Sequence, residues 1–226
     1  MLLNIFRTIF DWSEVWALFI PLAFLFIYKP RGNWILPIKT YLLIALLLNV
    51  CIDFYWYVNK YDLFNSMKGH RWNNNYLYNL NSILRLLVFS WFFRLQGKGF
   101  RRLTIAIPAL FLIGVIIFFT FFKSIRFISS YLLATEAGLL LFYCLWYTNK
   151  IMREDRPAYS TSHPPSWVVG GLTLFTSVNF FIFLFYDYLN AHYEDFLVST
   201  WDVHNILFII LCGCIAIAFY NERDRK

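Results

Sequence analysis

Three ionisable residues stand inside apolar runs of this 226-residue chain: Asp53 in "LLNVCIDFYW", Arg85 in "LNSILRLLVF" and Glu136 in "YLLATEAGLLL". A charge placed among hydrocarbon costs about 2.5–3.5 kcal/mol on insertion scales, so each must pair, line a polar cavity or hold a ligand. Amides and one imidazole accompany them: Asn81 and Asn179 within runs, and His204 with Asn205 near the start of the last one. Such groups suit the binding of a small polar or amphiphilic ligand, and together with Asp53, Arg85 and Glu136 they make up the candidate ligand-binding set.

Depth follows from counting residues at a rise of about 1.5 Å each. Arg85 lies about nine residues, or ~14 Å, from the end of its run at Arg94, and Asp53 about 13 residues, or ~20 Å, from the start of its own. Side chains lean toward a helix's N-terminus, which brings these two charges toward one depth and predicts an Asp53–Arg85 pair. Glu136 and Asn179 fall at ~20 Å by the same count. Asn49 precedes Asp53 by one turn and shares its face.

Other chemistries find little support. His70, His163 and His192 fall in loops, and no histidine pair has metal or haem spacing, so neither a metal nor a cofactor is expected. His204 and Asp202 are two residues apart and point to different faces, which makes His204 a hydrogen-bonded histidine at a helix edge. No serine sits in a nucleophile elbow, and Cys51, Cys144, Cys212 and Cys214 read as small packing residues, so no enzyme is expected. Gly170 and Gly171 predict close helix packing or a bend.

These residues require membrane helices to position them. The chain is 60% hydrophobic and 15% charged, where a soluble domain has about 25% charge. Apolar runs at about 12–28, 40–58, 76–93, 103–122, 128–148, 167–186 and 201–220 predict an all-α polytopic protein of seven transmembrane helices in one domain. The interruption "FKSIRF" reads as a tight turn between the fourth and fifth. Trp12, Trp34, Trp56, Trp72, Trp146, Trp167 and Trp201 fit interfacial belts, and Tyr55, Tyr57, Tyr76 and Tyr78 gather at one mouth.

With the N-terminus outside, the inner segments hold three, four, three and three basic residues, 13 of the 20, and the outer segments hold six. Asp187, Glu194, Asp195 and Asp202 crowd the last outer loop. This asymmetry predicts a cytoplasmic C-terminus, in a plasma membrane or bacterial inner membrane.

Glu14 and Glu136 each begin a run that ends in a lysine, and Asn81 and Asn205 stand in the third and last runs. They suggest parallel repeats over 1–95 and 124–222 joined by a linker helix at 103–122. This three-plus-one-plus-three plan resembles that of the sugar-transporting SWEET proteins in architecture only, because their proline-glutamine motif is missing here. Three functions fit: a receptor or sensor with an outward-facing polar pocket, acting through a separate membrane or cytoplasmic protein; a small-solute transporter; or a structural subunit of a membrane complex. Partners are then the bilayer, a small ligand and that protein, with no role for nucleic acid.

Overall fold

A computed structural model describes residues 9–60, 75–97, 101–121, 130–153 and 163–223. Among them all regular structure is helical: α1 Ser13–Tyr28, α2 Ile35–Lys60, α3 Asn75–Leu95, α4 Leu103–Phe121, α5 Ser130–Arg153, α6 Pro165–Leu184, α7 Tyr186–His192 and α8 Glu194–Arg223. Five stretches are long and apolar enough to cross a membrane: Ile35–Val58, Leu103–Phe121, Ser130–Arg153, Pro165–Leu184 and Ser199–Arg223. The helix α1 is apolar but only 16 residues long, and the amides and arginine of α3 lower its hydropathy. The chain is a membrane protein.

Local chemistry sets several ends. Glu14 lies in the first turn of α1, and Lys150 and Arg153 lie in the last turn of α5, each on the side its helix dipole favours. Pro165 opens α6, where its missing N–H has no helical partner to lose. Pro21 and Pro108 sit inside α1 and α4, and both helices continue through them. The last outer loop expected from sequence is largely helical: α7 follows α6 after a bend at Phe185, and α8 begins at Glu194, seven residues before the predicted 201. The predicted turn "FKSIRF" lies outside the described residues.

The helices pack as a closed ring in the order α1, α2, α3, α5, α6, α8 and back to α1. The helix α4 stands outside it against α3, and only 17% of its apolar window is buried, against 50% for each of the other four spans. Gly171 permits the close approach of α6 and α8, because a Cβ there would sit 2.7 Å from Cys214 Cβ.

Along the ring axis the interior divides into two layers. Toward the ends at Tyr28, Ile35 and Leu95 it is aromatic: Trp34 stacks on Phe219 at 5.8 Å, Phe92 meets Phe93 edge-on at 5.2 Å, and Phe93 lies 5.2 Å from Tyr143. All five are buried, and Trp34 also donates its indole N–H to Glu222. Trp34 is thus a core residue, a correction to its predicted place in an interfacial belt, because its ring fills the space between α3 and α8. Toward the opposite end the core is polar.

Candidate functional site

Every helix of the ring contributes a polar side chain to that opposite end. From α3, Arg85 donates Nε–H to Glu136 Oε1 at 2.7 Å and Nη2–H to Oε2 at 2.6 Å, a two-point charged pair with α5. Ser82, one turn earlier, donates to Oε2 at 3.4 Å. The Glu136 side chain is fully buried and that of Arg85 is 8% exposed. The guanidinium also lies 5.2 Å from the centre of the Phe175 ring on α6, which offers its π face to the cation.

A second cluster adjoins Phe175, whose ring is 5.3 Å from that of His204. His204 Nδ1 is hydrogen-bonded to Asn179 Oδ1, and Nε2 faces Glu14 Oε1 of α1 at 3.2 Å. Asn179 Nδ2 donates to Phe175 O at 2.7 Å, and this bond directs its Oδ1 at the imidazole. Trp201 stacks on the imidazole at 5.0 Å, and Phe183 closes another side. A third group completes the ring: Asn49 Nδ2 on α2 donates to Glu14 O at 3.0 Å, and Asn81 Nδ2 on α3 donates to Asn49 Oδ1 at 3.5 Å.

The predicted set therefore falls into place unevenly. Arg85 and Glu136 meet, Asn179 and His204 meet, and Asn81 joins through Asn49. Asn205 is buried beside them in sequence, and its Oδ1 has no hydrogen-bond partner among the described residues. Asp53 does not pair with Arg85, which corrects the expectation from residue counting. Asn49 and Asn81 set the register of the antiparallel α2 and α3. Asp53 lies one turn from Asn49 and Arg85 one turn from Asn81 in the opposite direction, about 12 Å apart in rise. Asp53 instead lies within electrostatic range of Glu14 and Asp11, and its Oδ2 is buried without a hydrogen-bond partner.

His204 is deeper than a helix-edge residue, with 6% exposure. Glu14, absent from the predicted set, is the residue that explains it. The available signal was the rule applied to Asp53 and Glu136: a carboxylate opening an apolar helix needs a partner. Asn79, fully buried on α3, was missed as well.

The arrangement gathers ionisable and hydrogen-bonding side chains into a buried network, and among the described residues no group of three or more histidine, cysteine, aspartate or glutamate side chains could hold a metal ion. A separate apolar groove of about 420 Å³ lies between α4 and α5, lined by Leu110, Gly114, Phe118, Tyr131, Thr135 and Leu139 among others. No family model, no curated protein and no solved structure matches this chain.

Proposed function

We propose that this is a seven-span membrane sensor with its N-terminus outside, whose polar end faces outward, responds to a small ligand and passes the change to a separate protein. In this reading α1 and α3 cross the membrane with the five longer spans, α7 lies in the last outer loop, and the membrane is a plasma membrane or bacterial inner membrane. The observation that carries it is the layering. Polar groups from all six ring helices converge at one end, while the other end is filled by Trp34, Phe92, Phe93, Tyr143 and Phe219. A polar layer above an aromatic plug suits a site that takes a ligand from one side and transmits a repacking of helices, since intramembrane ionisable groups mark functional sites by default.

A second reading, a small-solute transporter, draws on the neighbour order. Exchanging α1, α2, α3 for α5, α6, α8 leaves the ring order unchanged, as parallel repeats with α4 as linker would. The residue types follow the same exchange: Glu14 with Glu136, Asn49 with Asn179, and the nitrogen-bearing side chains Arg85 with His204.

One experiment separates the two. The purified chain, in nanodiscs and in sealed vesicles, is presented with a panel of small polar and amphiphilic solutes. A sensor shows ligand-dependent thermal stabilisation that Glu136→Gln weakens, with no solute crossing the vesicle. A transporter shows flux that the same substitution alters. Neither stabilisation nor flux would discard both readings and leave the structural subunit.

A further inference from the structure

The two pairs that join the halves of the ring differ in one chemical respect. Arg85–Glu136 crosses from α3 to α5, and a guanidinium does not give up its proton in proteins. Glu14–His204 crosses from α1 to α8, and both partners can change charge. We propose that Glu14 and His204 are a proton-binding site that latches α1 to α8, closed while one proton is shared between them and released when that proton is lost or a second is gained. This rests on the polar end being the working part of the protein and names the proton as one of its ligands.

Two contacts of the imidazole carry the inference, a hydrogen bond at Nδ1 and a 3.2 Å approach of Nε2 to a carboxylate oxygen. His204 presents Nδ1 to Asn179 Oδ1 and Nε2 to Glu14 Oε1. Asn179 cannot reverse its amide without losing the bond from Nδ2 to Phe175 O. Both ring nitrogens therefore face oxygen acceptors, whereas a neutral imidazole has a single N–H. Two protonation states satisfy the contacts: an imidazolium against a carboxylate, or an Nδ1–H imidazole against a protonated Glu14 carboxyl. Each contains the same proton between Nε2 and Oε1, so it belongs to the pair. Removing it sets an imidazole lone pair against a carboxylate. Adding another leaves a buried imidazolium facing a neutral acid. Losing the proton removes the attraction across the α1–α8 seam and gaining a second weakens it from an ion pair to an ion–dipole contact, while the α3–α5 pair is untouched.

The surrounding charges are asymmetric. Asp53 from α2 stands within electrostatic range of Glu14 and of Asp11. From α3, Tyr78 meets the edge of Trp201. The helix α6 has no ionisable side chain and supplies Asn179, Phe175 and Phe183. On α8, Asp202 lies two residues before His204, and on α7 Tyr186 accompanies Asp187, which accepts a hydrogen bond from Ser130 Oγ at 2.8 Å. Arg85, which lies over the Phe175 ring, is paired with Glu136.

The test uses the full chain in lipid nanodiscs with ¹⁵N-labelled histidine, and needs no substitution for its first measurement. The His204 ring nitrogens should report the shared proton over an interval of pH, with loss at higher pH and a second proton gained on Glu14 at lower pH. Paired spin labels at Phe19 and Ile206, both exposed, should read the α1–α8 distance as shortest within that interval and longer on either side. Labels at Leu80 and Tyr131 should show no change across α3–α5. His204→Gln should abolish the pH response of the first distance, and Glu14→Gln is the second variant should that one not fold.

An Nε2 that stays a bare acceptor beside an ionised Glu14 at every pH where the chain is folded would overturn the proposal. So would an α1–α8 distance indifferent to the titration, or both distances moving together. Ligand-dependent stabilisation that persists in such a case keeps the sensor reading and removes only the latch. A latch that titrates in a chain with neither ligand response nor flux removes the sensor reading instead.

Discussion

Arg85 and Glu136 meet side-on across the α3–α5 seam through two hydrogen bonds of 2.7 and 2.6 Å, and this contact ties the first three helices to the last three. A two-point geometry is the strongest arrangement for this pair of groups. A buried ion pair nevertheless repays its desolvation only while both members are present.

Arg85→Leu or Glu136→Leu alone should therefore destabilise the fold by about 3–5 kcal/mol, because either leaves one buried charge unmatched. The double substitution should recover most of that loss. Unfolding of the four proteins in detergent measures the coupling, and strictly additive losses would refute it.

The aromatic layer should be the more expensive place to remove volume. Phe92→Ala takes away a fully buried ring packed against Trp34 and Phe93 and should cost about 3–5 kcal/mol in thermal or denaturant unfolding. Trp34→Phe keeps much of the stacking surface but loses the bond to Glu222, at a cost nearer 1 kcal/mol.

Two glycines give opposite expectations. Gly171→Ala forces a methyl group to within 2.7 Å of Cys214 Cβ and should cost about 1–3 kcal/mol, with Cys214→Gly in the same chain relieving it. Gly114→Ala on α4 meets nothing within 4 Å and should leave stability unchanged or raise it by up to about 1 kcal/mol through helix propensity.

The proposed orientation is checked from outside intact cells. A cysteine at the exposed Asn190 on α7 should react with an impermeant thiol reagent, and one at Ser162 should not. The native thiols at Cys144 and Cys212 are buried and give little background. Reaction at Ser162 would reverse the topology.

The apolar helices and their approximate bounds were legible in composition and run length, and five of them are long and apolar enough to cross a membrane, because an apolar segment of about 20 residues has few other stable destinations. Counting residues also brought Glu136 and Asn179 to one depth, ~20 Å from the same face, because rise per residue is fixed, while it left Arg85 nearer the middle at ~14 Å. Partner choice was not legible. In a helix flanked by lipid on one side and an apolar core on the other, the pattern that reveals a buried face is nearly erased. Rotation and neighbour order are then set by packing between distant segments. That is why Asp53 was the natural partner for Arg85 in sequence while the ring brings Glu136 to it, and why Glu14 gained a role only when α8 placed His204 against α1. The sequence by itself determined a membrane-embedded helical chain with a charged layer near one end. Tertiary structure alone decided which charges meet, because each pairing depends on how helices remote in the chain turn toward one another.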